Sequence, residues 1–182
     1  YESSEGMSNK IHFYHANGFP AETYQKFLEN LYGEVESPIS ILGKDLLSLK
    51  GSYDGFVDEV IKDASMHQGE AIAIGHSFGA TLSLLAEARN PGLFKFLILL
   101  DPPIFSKSKR MIIGILRKLK LEHYFTPAKQ SMMRRELFDS REEALWYFSS
   151  KSLFKNVPKT TIELYVEYGL VKDQDMYRLT IP

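Results

Sequence analysis

The sequence predicts an α/β fold, a mostly parallel sheet with helices on both faces, and two observations carry this. Between residues 11 and 101, short apolar segments alternate four times with stretches of helical periodicity. That alternation is the order expected of a parallel sheet linked by crossover helices. The apolar run Ala71 to Ile74 then leads directly into Gly75-His76-Ser77-Phe78-Gly79 and a further helical stretch. This strand–turn–helix setting turns a G-x-S-x-G pattern into a nucleophile elbow.

Each element follows from its residues. Ile11 to His15 reads as a strand and Asn17-Gly18-Phe19-Pro20 as the turn after it. Ala21 to Tyr32 reads as a helix, with Tyr24, Phe27, Leu28 and Leu31 at helical spacing. Pro38 to Leu42 is expected as a second strand. Ser52 to Ala64 is expected as a helix burying Phe56, Val57, Val60 and Ile61. The elbow strand comes next, then a helix from Ala80 to Arg89 that stops near Asn90-Pro91, then the apolar strand Phe94 to Leu100. Ligands of such sheets bind beyond the C-terminal strand ends. His15, Ser77 and Asp101 all fall on that edge.

After Asp101-Pro102-Pro103 the pattern changes. Residues 106–121 are amphipathic and basic, with Lys107, Lys109, Arg110, Arg117, Lys118 and Lys120 and no acid between 107 and 120. Helices are expected around 127–138, at 141–150 behind a Ser140/Glu143 capping box, and at 159–169. With no clear strand before Tyr177 to Ile181, residues 106–182 read as an all-helical addition to a core spanning 7–105. Residues 1–6 precede Met7 without pattern and are expected to be disordered or foreign to the natural chain.

Composition narrows the chemistry. The chain has 182 residues, 44% hydrophobic and 25% charged, with a net charge of −1 and no cysteine. That is ordinary globular composition, without the charge excess that would argue for nucleic acid. Thiolate catalysis and cysteine-ligated metal are excluded. No metal or cofactor motif is present, and no apolar run approaches the ~18 residues of a membrane span. A cytoplasmic protein acting on a small molecule is the expectation.

Ser77 has the features that acyl-transfer chemistry needs. It sits on a sharp turn with its hydroxyl projecting, while Gly75 and Gly79 lack side chains that would block close backbone approach. It also precedes a helix, whose unpaired N–H groups and dipole favour developing negative charge. The alternative is a glycine-rich turn whose serine merely caps the helix.

Taken together, these motifs resemble the α/β-hydrolase superfamily with a helical cap, and the likeness runs along the whole chain. His15-Ala16-Asn17-Gly18-Phe19-Pro20 is similar to the family's H-G-x-P oxyanion loop, with Ala16 and Asn17 inserted. Gly75-His76-Ser77-Phe78-Gly79 is similar to its G-H-S-x-G elbow. Leu99-Leu100-Asp101-Pro102-Pro103 is similar to the strand end where its cap begins. The resemblance implies that Ser77 is the nucleophile and that an oxyanion is held by the backbone N–H groups of Phe78 and Phe19. His15, Gly18, Gly75, His76 and Gly79 would support the two loops.

Two departures from the family stand out. The hairpin that usually precedes the strand at 11–15 has only ten residues available. The family's order is serine, acid, histidine, with the last two normally arriving after the cap, and this sequence stops where the cap would return to the sheet. None of the five histidines fits the missing base well. His12 and His67 lie towards the far end of the sheet, and His76 should point away from the pocket. His15 shapes the oxyanion loop, and His123 lies in the cap. Asp101 is a candidate acid that could orient a histidine, although a turn-capping aspartate before two prolines is the preferred reading. A hydrolase core commonly needs roughly 200–250 residues before any cap. The expectation is therefore the N-terminal part of a longer polypeptide, with its C-terminal strands missing.

A serine nucleophile without metal or cofactor points to hydrolysis of an ester, thioester or amide through an acyl-enzyme. Carbon–carbon bond hydrolysis and cofactor-free perhydrolysis use the same residues. A non-catalytic protein of the same fold, binding a ligand or partner beneath the cap, is the alternative from another class. Aromatic side chains of the cap, Trp146 and Phe148 among them, either roof an apolar pocket for a hydrophobic substrate or pack the cap helices together. The basic run either attracts an anionic group or forms a solvated helix face.

Overall fold

Strand β2 (Ile72–His76) is the centre of a three-stranded parallel sheet, flanked by β1 (Ile11–Tyr14) and β3 (Phe96–Leu100). The protein is described by a computed structural model that covers residues 10–32, 53–103 and 135–180. The β1–β2 ladder runs from Ile11↔Ile72 to Tyr14↔Gly75, and the β2–β3 ladder from Ile72↔Phe96 to His76↔Leu100. The strand expected at 38–42, the basic run at 107–120 and His123 lie outside the described residues.

The period-two alternation of β1 and β2 divides the core into two halves. Phe13 and Ile74 face one way and meet Leu28 of α1 (Gln25–Tyr32), with Ile11, Tyr24, Ile72 and Leu100 packed around them. Tyr14 and Ala73 face the other way and meet α2 (Tyr53–Ala64) and α3 (Phe78–Arg89) through Val57, Val60, Ala64, Leu82 and Ala86. Helices thus cover both faces, as the alternation predicts. Small side chains on β2 matter here, because Ala73 and Gly75 let α3 lie close to the sheet. On the α1 face of β3, Phe96 is 60% exposed.

Two helix starts differ from the sequence reading. Residues Ala21–Tyr24 form a 3-10 turn before α1 begins, closed by the Thr23 N–H donating to the Pro20 carbonyl at 3.2 Å. Pro20 has no N–H and sits at φ −61°, which suits an entry residue. Helix α3 begins at Phe78 rather than Ala80, so no spacer separates it from the turn at Ser77.

A buried polar chain joins β1 to α2 at the opposite end of the sheet from Ser77. His12 is fully buried, with Nδ1 at 2.7 Å from the Asp63 carboxylate and Nε2 at 3.1 Å from His67 Nδ1. A carboxylate only accepts, so the His12 Nδ1–H donates to it, while Nε2 shares a hydrogen bond with the His67 ring. The Tyr14 hydroxyl reaches the same carboxylate at 3.5 Å. Burial and the Asp63 charge push this phenol well above its usual range.

The C-terminal segment corrects the all-helical expectation. It contains α4 (Arg141–Ser149), a 3-10 turn at Ser152–Phe154 and α5 (Lys159–Gly169). It also contains an antiparallel sheet of β4 (Leu137–Phe138), β5 (Leu170–Asp173) and β6 (Met176–Leu179), in the order β4-β6-β5. The expected helix at 127–138 thus ends, in its described part, as a strand. The strands are two to four residues long, and β5 leaves α5 with no proline or spacer between them. A short apolar run without such punctuation has the same pattern as a helix end. The hairpin turn places Gln174 at φ 56°, a left-handed position.

The expected cap on α4 is present in modified form. Ser140 accepts from the Glu143 N–H at 3.1 Å, while the Glu143 carboxylate accepts from the Asp139 N–H at 2.8 Å, not from that of Ser140. The Asp139 N–H, and Arg135 at 2.6 Å, hold the Glu143 carboxyl below its usual range. Beneath α4 and α5, Phe138, Phe148, Phe154, Ile162 and Tyr165 form a second apolar cluster.

Leu82 is 1% exposed between α3 and the sheet, whereas Leu85 on the same helix is 38% exposed. Leu82→Ala should cost about 3 kcal/mol, since it leaves a cavity in a close-packed site. Leu85→Ala should cost under about 1 kcal/mol, and urea unfolding of the two variants measures the difference.

Candidate active site

The turn between β2 and α3 places Ser77 at φ 51°, ψ −109°. A positive φ is costly for a residue with a Cβ, and such strain persists only where the surroundings enforce it. Here they do. The Ser77 N–H donates to the Leu100 carbonyl at 2.8 Å, extending the β2–β3 pairing by one residue. The Ser77 carbonyl accepts from the Thr81 N–H at 3.1 Å and so opens the helical ladder of α3.

The two glycines of the pattern are there for close approach. A Cβ on Gly75 would lie 2.5 Å from Ala80 Cα and 2.7 Å from Ser83 Oγ. A Cβ on Gly79 would overlap the backbone carbonyl of Tyr14. The first turn of α3 is thus pressed onto the end of β1, next to the loop that follows it.

That loop is a tight turn from Ala16 to Phe19 with Gly18 at φ 83°. His15 is 3% exposed, and its Nδ1–H donates to the Ala16 carbonyl at 2.9 Å. The Phe19 N–H closes the turn on the same carbonyl at 3.3 Å, a long bond. The Phe19 ring extends into the second apolar cluster, 5.3 Å from the Tyr165 ring and 6.1 Å from that of Phe154. Phe78, at the start of α3, sets its ring edge-on to Phe56 at 5.7 Å.

His76 is half-buried, and its Nδ1 lies 2.7 Å from the hydroxyl of Tyr24. That hydroxyl also accepts from the Ala16 N–H at 3.4 Å. The helical spacing of Tyr24 marks it as a core residue and does not reveal where its hydroxyl ends. Burial lowers the His76 pKa from 6.5, opposed in part by the charge of Asp101. Asp101 itself is exposed at φ 45°, one residue past β3.

Four of the five histidines are now placed. His12 and His67 are bonded to each other at the far end of the sheet, His15 to its own loop, and His76 to Tyr24. Phe148 is 1% exposed within the second cluster, which corrects its reading as pocket lining. Trp146 is 75% exposed on α4. A groove of about 170 Å³ between α4 and α5, lined by Arg141, Glu142, Leu145, Glu163, Val166 and Glu167, includes no residue of the elbow. Among the described residues, no His, Asp or Glu group is arranged to hold a metal ion, and no helix is long and apolar enough to cross a membrane.

No protein-family model and no curated protein matches the sequence. Solved structures do match. The peroxisomal α/β-hydrolase Lpx1 of Saccharomyces cerevisiae is similar over 96% of this chain and 53% of its own, at 18% identity and a TM-score of 0.62. A thioesterase domain from the curacin biosynthetic pathway is similar over 95% of this chain and 63% of its own, at 14% identity and a TM-score of 0.65. An esterase of M. tuberculosis is similar over 97% and 59%, at 15% identity and a TM-score of 0.61. The chain has the α/β-hydrolase fold, and it spans between about half and under two thirds of the length of these proteins.

Two outcomes test this geometry. Gly79→Ala forces a methyl group against backbone that cannot rotate aside, so it should destabilise the protein by about 3 kcal/mol or more, read as a fall in the denaturation midpoint. His76 binds its proton less readily when folded than when unfolded. The stability it contributes is therefore complete above about pH 6.5 and is lost as pH falls through the folded value. An imidazole NMR titration should give His76 a midpoint below 6.5.

Proposed function

We propose that Ser77 is the nucleophile of a serine hydrolase acting on a carboxylic ester, thioester or amide of a small to medium hydrophobic acyl group. One observation carries this reading. Ser77 is held at a left-handed φ of 51° in a strand-to-helix turn whose flanking glycines admit close backbone packing. A serine serving only as a helix cap has no need of that strain, and no side-chain capping bond from Ser77 accompanies it.

The reaction follows from this placement. The Ser77 Oγ attacks the acyl carbon and passes its proton to a general base, forming a tetrahedral oxyanion. The Phe78 N–H, at the positive end of α3, is one donor to that oxyanion. The Phe19 N–H is the other, giving up its long bond to the Ala16 carbonyl. Collapse of the intermediate expels the alcohol, thiol or amine with a proton from the conjugate acid of the base. Water then attacks the acyl-enzyme, the base takes its proton, and the acid product leaves as Ser77 regains its own.

His12 and His67 lie at the far end of the sheet, and His15 and His76 have Nδ1 engaged by the Ala16 carbonyl and the Tyr24 hydroxyl, which favours a base outside the four described histidines. Asp101 lies at the right strand end to orient such a base, and its left-handed backbone equally suits a turn residue.

A fluorophosphonate probe tests the proposal on the full-length protein, because it phosphonylates only an activated serine. The expected result is covalent labelling on the peptide containing Ser77 and none in Ser77→Ala. An unlabelled wild-type protein, folded by circular dichroism, would leave the non-catalytic ligand-binding reading in its place.

A further inference from the structure

We propose that Tyr24 is a positioning residue of this site, its hydroxyl tying the 16–19 loop to the elbow and so setting the spacing of the two oxyanion donors. The inference rests on Ser77 being the nucleophile. Its starting point is that the two donors belong to separate segments. Phe19 follows β1 and Phe78 follows β2, and the β1–β2 ladder ends at Tyr14↔Gly75. Ala16 and His76 both lie beyond that last rung.

Tyr24 bridges the gap. Its hydroxyl lies 2.7 Å from Nδ1 of His76, the residue before the nucleophile. The same oxygen lies 3.4 Å from the backbone N of Ala16, the first residue of the loop. Burial pushes the phenol up to about 12, so it keeps its proton. Burial also favours neutral His76. The hydroxyl therefore donates to Nδ1 and accepts from the Ala16 N–H, with one function spent on each segment.

The ring is held independently of these bonds. It packs with the Phe13, Leu28 and Ile74 cluster, at 4.6 Å from the Phe13 ring and edge-on to His76 at 5.6 Å. The hydroxyl is thus a fixed point delivered to the end of the sheet by apolar packing. Without it the loop and the elbow lose a shared partner while the core keeps its contacts. Small misplacements of oxyanion donors are costly, because they stabilise charge only where it develops.

Tyr24→Phe in the full-length protein tests this, since it removes the hydroxyl and keeps the ring. The rate constant for phosphonylation at saturating fluorophosphonate should fall about ten- to a hundredfold. The half-saturating probe concentration and the melting temperature should stay close to those of the wild type. Tyr14→Phe, which removes another buried tyrosine hydroxyl on the Asp63 side, should leave the rate constant unchanged. A wild-type rate constant in Tyr24→Phe overturns the positioning role, as does an equal loss in Tyr14→Phe or a loss confined to half-saturation. No labelling of the wild type overturns the nucleophile assignment instead.

Discussion

Helix α3 starts two residues after β2 ends, and the closeness this demands is the constraint on which the rest of the core depends. At Gly75 a methyl group would meet Ala80 and Ser83, and at Gly79 it would meet the backbone of β1. Because both positions are bare, α3 can cross directly above the end of the sheet. Ser77 is then the one residue left to make the turn, and its positive φ is the geometric result. The bonds from Ser77 to Leu100 and from Thr81 to Ser77 supply the over-determination that keeps a strained residue in place. Small residues, a strained serine and a helix N-terminus are one arrangement, and each requires the other two.

Polar groups divide between the two ends of the sheet. At the end away from Ser77, the Asp63–His12–His67 chain fastens α2 to the first strand, with every hydrogen-bonding atom of the buried His12 ring engaged. That is how a fully buried imidazole is tolerated. At the Ser77 end, His15, Tyr24 and His76 satisfy loop and elbow groups that the strand ladders no longer reach. Among the described residues, His15 and His76 thus sit where the strand ladders run out, whereas His12 and His67 are held by Asp63 and by each other.

The parallel core was legible in the sequence because its signals are local and strong. Alternating apolar strands, glycines at close approaches and a serine between strand and helix can each be read from a few neighbouring residues. The 3-10 entry at Ala21 was less legible, since its residues fit helical spacing equally well. Of the β5–β6 hairpin, the second strand was legible at 177–181, but β5 was hidden because it follows α5 without a break, and a two-residue strand such as Leu137–Phe138 has no periodicity to detect. Burial of Phe148 depends on which aromatic residues meet across α4, α5 and the sheet, which composition cannot rank. The Tyr24 hydroxyl was invisible for the same reason: its partners lie eight and fifty-two positions away along the chain.

The ring of Phe19 belongs to the β1–α1 loop by sequence and to the Phe154–Tyr165 cluster by packing. The 3-10 turn that follows it also lies against α5. Any local unfolding that parts α5 from this turn must strip the aromatic partners from Phe19, at a cost on the order of 1–2 kcal/mol for the ring alone. The loop and the C-terminal cluster are therefore energetically coupled through this ring. Whatever holds 135–180 closed also lowers the conformational entropy of the loop beside Ser77, so order in that loop is inherited from residues more than a hundred positions further along the chain.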